Sequence, residues 1–90
     1  MNNWNLRVKT GNENVERERP VFVWDAPAEL TQFTVQLSPI PNFMHITTLR
    51  DTHEQYLLFD GHPLKPNTTY YVRVRSGLGE WSETSFTTGL

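Results

Sequence analysis

The side chains able to do chemistry in this 90-residue chain are few, and their spacing does not favour a catalyst. Asp25, Glu29, Asp51, Asp60, Glu80 and Glu83 are candidates for paired-carboxyl hydrolysis, which needs two carboxyls about 5 to 9.5 Å apart across a cleft. They are scattered over turns and strand surfaces, so a working pair would arise only by accident. His45, His53 and His62 lack the i, i+4 spacing of a helical metal site, and the chain has no Cys to complete a ligand set. No catalytic, cofactor-binding or metal-ligating residue is therefore expected. What remains is Arg73 and Arg75, two apart on one strand face, with Tyr71 beside them and Trp81 across a hairpin. Pairing brings the indole within reach of both guanidiniums, and cation–π stacking follows at about 0.5 to 1 kcal/mol per exposed contact. Three readings of this face stay open: a ladder that stiffens the sheet, a surface that docks on a neighbouring domain, and a platform for a sugar on Trp81. Asn67-Thr68-Thr69 matches a glycosylation sequon, but so short a pattern recurs by chance, and Asn67 is read as a turn residue.

Strands have to position these groups. No apolar pattern at helical spacing persists over about 11 residues, whereas period-two alternation recurs in short pieces between Pro, Gly and Asn. Trp4, Leu6 and Val8 alternate with polar residues up to the turn cluster Thr10-Gly11-Asn12. Glu13 to Arg19 is a charge run whose signs nearly cancel, read as a solvated loop. Pro20 opens VFVWD, in which Phe22 and Trp24 share a face and Trp24 is the core anchor. Phe33, Val35 and Leu37 form the inward set of the next strand, which Pro39 and Pro41 end. Residues 42–54 fit no clean period and are read as holding one short edge strand. Gln55 to Asp60 is a strand with Leu57 and Phe59 inward, and Asp60-Gly61-His62-Pro63 is a turn. Leu64 precedes the central strand, where Tyr70, Val72 and Val74 face inward and Tyr71, Arg73 and Arg75 outward. Ser76-Gly77-Leu78-Gly79 supplies a hairpin, and Trp81 to Thr88, with Phe86 in the core, pairs back. Seven short strands with turns between them indicate an all-β, seven-stranded antiparallel sandwich.

A chain of this length makes one domain and hides only about 60 to 65 per cent of the surface its unfolded form exposes. Without disulfides its stability comes from packing, which favours a reducing compartment. The net charge of −2 gives no pull towards nucleic acid or an anionic membrane. No apolar run approaches the roughly 18 residues of a membrane span, and MNNWNLRVK has no signal-peptide core. With Met1 as native start the expected location is the cytoplasm; an excised piece of an exported chain would be secreted instead. A monomer without a cofactor is expected.

The anchor Trp24, the Phe33, Val35, Leu37 alternation, and L-x-P-x-T-x-Y at Leu64, Pro66, Thr68 and Tyr70 followed by Val72 and Val74 resemble an immunoglobulin-like fibronectin type III domain. The resemblance implies that Tyr70 is a corner tyrosine whose hydroxyl bonds a backbone group a few residues upstream. The G-x-W-S phrase at Trp81 resembles half of the tryptophan-serine box of cytokine receptors, in which such a ladder stiffens the sheet. A narrower similarity runs through RPVFVW, QFTVQLS, the stretch from Phe59 to Arg75, GEWSE and the terminal FTTGL. It is similar to the amino-terminal β-sandwich of bacterial α-L-rhamnosidases, with Val72 departing where related sequences often carry Trp. That resemblance implies a non-catalytic accessory module of a glycoside hydrolase, whose catalytic acids lie in a separate barrel and whose partners are neighbouring domains. One outer face, carrying Val21, Val23, Leu58 and Tyr71, would then be apolar. An independent module that recognises a carbohydrate or a protein is the alternative.

Overall fold

The computed structural model describes residues 3–90; Met1, on which the reading of a native start rests, lies outside them. Strands form where alternation is cleanest: β1 (Arg7–Val8), β2 (Val21–Val23), β3 (Phe33–Ser38), β4 (Thr48–Thr52), β5 (Tyr56–Leu58), β6 (Thr69–Arg75) and β7 (Ser82–Thr87). They pair antiparallel into a three-stranded sheet β1-β2-β5 and a four-stranded sheet β4-β3-β6-β7. No helix among the described residues is long and apolar enough to cross a membrane.

The inward faces meet in one core. Phe22 and Trp24 come from the three-stranded side, and Phe33, Val35, Leu37, Tyr70, Val72, Val74 and Phe86 from the other; Leu64 closes one end. Phe22 lies 5.4 Å from Phe86, and Trp24 stands edge-on to Phe33 at 5.5 Å. Large side chains buried in this way contribute about 1.5 to 3 kcal/mol each. Leu57 packs partly buried against the core, and Phe59, just past β5, is fully in it.

Two segments differ from the sequence reading. The first strand is cut short because Asn5 takes a φ of 54°, a left-handed conformation that Asn tolerates but a ladder does not. Trp4 nevertheless packs edge-on to Phe33 at 5.8 Å. The charge run is not solvated throughout, since Val15 is buried and forms a parallel bridge to Thr88. Its N–H donates to the Thr87 carbonyl at 3.0 Å, and its own carbonyl accepts from Gly89 at 3.1 Å. The segment thus covers the open edge of β7, as an exposed row of unpaired backbone groups requires.

The other edge of that sheet, β4, is protected by charge. Arg50 is paired with buried Val35, on the core-facing side of the strand, and turns out to bond Asp60 through Nε at 2.9 Å. An inward-pointing charge on an edge strand opposes pairing with a second copy, because register-matched copies would set Arg50 against Arg50 or Asp51 against Asp51.

Candidate functional site

The hairpin register puts Arg73 opposite Glu83 and Val74 opposite Ser82 on β6 and β7. Gly77, at φ 57°, supplies the left-handed turn residue, and the Gly79 N–H closes the loop onto the Ser76 carbonyl at 3.0 Å. Trp81 therefore emerges beside the outward arginines. Its ring lies 4.1 Å from the Arg73 guanidinium carbon and 4.3 Å from that of Arg75. A ring already carrying two guanidiniums leaves a sugar at most one open face.

The stack has a member that the sequence did not reveal. Phe43, in the loop between β3 and β4, lies 4.3 Å from Arg73, so one guanidinium sits within reach of two rings. Phe43 is buried, yet takes a φ of 55°, which is rare for a bulky residue. Such a conformation costs about 1 to 3 kcal/mol and persists only where surrounding contacts enforce it. The Phe43 N–H donates to the Ile40 carbonyl at 3.3 Å, and its ring contact is with Arg73. Arg73 is fixed in turn by donation from Nε to the Gln36 side-chain oxygen at 2.8 Å. Burial pushes the Arg73 pKa below its ordinary value; Glu83 pulls it back up and Arg75 lowers it further. A guanidinium stays charged through such shifts. Arg75 is placed differently, since its buried Nε has no hydrogen-bond partner among the described residues.

Tyr71 takes no part in these ring contacts. It pairs with Ser38 and Ser85 on the outer face of the four-stranded sheet. The expected grouping of Tyr71 with Val21, Val23 and Leu58 is therefore corrected: those three lie on the other sheet. There, Val21 pairs with Leu58 and Val23 with Tyr56, all pointing away from the core. Leu58 and Tyr56 are 51% and 52% exposed, and this is an apolar face without a cover.

The corner is built as the resemblance implied. Asn67 takes φ 50°, Thr68 Oγ1 donates to the Pro66 carbonyl at 2.8 Å, and the Tyr70 hydroxyl accepts from the Lys65 N–H at 2.9 Å. Tyr70 also stacks on Phe86 at 5.8 Å. Replacing Tyr70 with Phe leaves the Lys65 N–H without its acceptor, so it should cost about 1 to 2 kcal/mol. The expected melting temperature falls by about 4 to 8 °C per kcal/mol in a domain of this size. An unchanged melting curve would show that the hydroxyl is incidental.

Three of the candidate acids are engaged by neighbours. Asp25 bonds Arg7 at 3.2 Å, Asp51 accepts from Thr34 at 2.9 Å, and Asp60 is engaged by Arg50. His53 contacts the Thr31 carbonyl at 3.0 Å, while His45 and His62 are exposed elsewhere. Among the described residues no group of three or more His, Cys, Asp or Glu is placed to hold a metal ion.

One flank of the sandwich is concave. A groove of about 520 Å³ runs between β4 and the chain leaving β5, with Arg50, Asp60, His62 and Lys65 along it and Phe59, Leu64 and Tyr70 beneath. Gly61 lies flat on its floor, where a Cβ would come 2.8 Å from Phe59 Cζ and force the ring to move. The sequence showed this stretch only as a turn, because the groove's other wall lies in β4, with Arg50 ten residues before Asp60.

Compared with known proteins, the chain matches the fibronectin type III domain family over residues 4–88. No curated protein and no solved structure matches it. The family match runs from the first core aromatic, Trp4, to Thr88, the residue that closes β7 onto Val15, so no strand of the sandwich falls outside it, and the chain belongs to the fibronectin type III domain family.

Proposed function

We propose that the domain is a non-catalytic accessory module of an α-L-rhamnosidase-like glycoside hydrolase, packing against neighbouring domains of the same chain and positioning them. The observation that carries this reading is the uncovered pair of apolar cross-strand contacts, Val21 with Leu58 and Val23 with Tyr56. Exposed apolar area of this kind marks a contact surface. Its size favours a tethered partner. Four side chains fall well short of the roughly 800 Å² per partner of a stable interface between separate proteins. A neighbour on the same chain needs much less, because a short linker holds it at about millimolar effective concentration. The motifs from RPVFVW to FTTGL support the identity of the parent enzyme.

The test is the double substitution Tyr56→Ser and Leu58→Asp, made in the 90-residue domain and in the full-length gene product. In the isolated domain the change should stay within about 0.5 kcal/mol, as surface substitutions do. In the full-length chain, limited proteolysis should accelerate at the junction after residue 90. Unchanged proteolysis of the full-length variant, or a gene encoding nothing beyond this domain, would remove the basis for the proposal.

An independent recognition module is the second reading, and one observation favours it: Met44, 81% exposed, projects from the loop that Phe43 anchors. An exposed flexible thioether on a rigid platform suits an adaptable protein contact. Titration of the isolated domain with glycans and candidate proteins separates the two readings.

A further inference from the structure

The groove between β4 and the β5–β6 connection lies on the flank of the sandwich, away from the outer sheet face invoked above. Its volume of about 520 Å³ falls within the range of small-molecule sites, about 300 to 1,000 Å³. Such sites combine an apolar floor with a few polar groups of fixed position, and both are present. The apolar lining comes from exposed Pro63 and from the narrow edges of Phe59, Leu64 and Tyr70 that the core leaves accessible, 2%, 6% and 7% of each. Above it, Arg50 donates from Nε to Asp60 and from one terminal nitrogen to the Leu49 carbonyl, which fixes the plane of its guanidinium. Lys65 is anchored through its backbone, its N–H donating to the Tyr70 hydroxyl and its carbonyl accepting from Thr88 Oγ1.

The charge of the groove runs against that of the chain. Arg50 and Asp60 cancel and Lys65 leaves one positive charge, on a chain whose net charge is −2. The Lys65 ammonium has no acidic partner among the described residues. Asp60 occupies Arg50 from the rim, where it is mostly exposed, so a second carboxylate can exchange with it at little cost.

We propose that this groove binds small organic anions: a ring of monosaccharide size that sits in the groove beside Pro63 and gives one carboxylate to Lys65 and Arg50. The site is independent of the domain-docking reading, because its residues and those of the outer sheet face do not overlap.

The experiment is a titration of the isotope-labelled 90-residue domain, followed through its backbone amide resonances. Glucuronate and cyclohexanecarboxylate are the ligands, with glucose and cyclohexanol as their neutral counterparts. Both carboxylates should bind with millimolar dissociation constants, and shifts should be confined to Thr48, Arg50, Gly61, His62 and Lys65. Binding by only one of the two would identify the ring type and leave the anion site standing. The neutral compounds should bind about tenfold more weakly or not at all, the loss expected for one charged hydrogen bond. Lys65→Gln should weaken carboxylate binding about tenfold, while Lys65→Arg should retain it. Asp60→Asn, which removes the competing carboxylate, should tighten binding severalfold, an effect that a purely structural latch would not give. Preserved dispersion of the spectrum reports that each variant is folded. Equal binding of acids and neutral analogues, shifts elsewhere, no shifts up to about 50 mM, or a neutral effect of both Lys65→Gln and Asp60→Asn would overturn the proposal.

Discussion

Trp24→Ala should lower the stability of the domain by about 3 to 5 kcal/mol, the cost of emptying a large aromatic site in a packed core. Trp24 is 2% exposed, stands edge-on to Phe33 at 5.5 Å, and holds the chain beyond β2 through its own N–H, which donates to the Gln55 carbonyl at 3.2 Å. A domain of this length has about 5 to 10 kcal/mol in total, so the variant should be partly unfolded under ordinary conditions. The mechanism makes a second, sharper forecast. The indole N–H of Trp24 is buried without a hydrogen-bond partner among the described residues. Trp24→Phe loses volume but also removes a donor whose burial costs about 1 to 3 kcal/mol, so its net effect should be below about 2 kcal/mol. Urea unfolding followed by circular dichroism gives both values. A loss under about 1 kcal/mol for Trp24→Ala would mean that the core collapses around the gap, and Trp24 would not be the anchor.

Arg73→Ala should cost about 2 kcal/mol, from two ring contacts at about 0.5 to 1 kcal/mol each and a charged hydrogen bond discounted for partial exposure. Arg73 touches Phe43, Trp81 and Gln36, whereas Arg75 stacks on Trp81 and carries a buried Nε without a hydrogen-bond partner among the described residues. Arg75→Ala should therefore cost less than about 1 kcal/mol, since it removes an unsatisfied donor along with its contact. Arg73→Lys should fall between wild type and alanine, because an ammonium lacks the planar face that stacks on two rings. Trp81→Ala removes two contacts and should lower the melting temperature by several degrees, at about 4 to 8 °C per kcal/mol. A double-mutant cycle on Arg73 and Phe43 isolates the loop clamp, with an expected coupling of about 0.5 to 1 kcal/mol. Equal losses for Arg73→Ala and Arg75→Ala, with no coupling to Phe43, would show that the loop is held by something else.

The candidate site was legible in part. Arg73, Arg75 and Trp81 follow from strand period and a hairpin of known type, both local features of the chain. Phe43 did not, because nothing between Pro39 and Thr47 repeats at a strand or helix period. Its place over Arg73 depends on a left-handed backbone turn and on a partner thirty residues later. A bulky apolar residue isolated between Asn42 and the exposed Met44 was the available signal, and it is a weak one. Val15 is a similar case: a single apolar side chain inside a charge run, buried because β7 needs a neighbour.

By itself the sequence determined the number and order of strands and the inward set from Phe22 to Phe86. Each of these is written in alternation or turn chemistry over fewer than about ten residues. Tertiary structure alone decided which outer face each outward residue occupies, separating Tyr71 from Val21, Val23 and Leu58. It also decided the Phe43 clamp, the sealing of β7 by Val15 and the groove between Arg50 and Lys65. The physical reason is the same in every case. Period two tells a residue's side of its own strand, but which sheet that strand joins, and what folds back over it, is set by pairings with segments far along the chain.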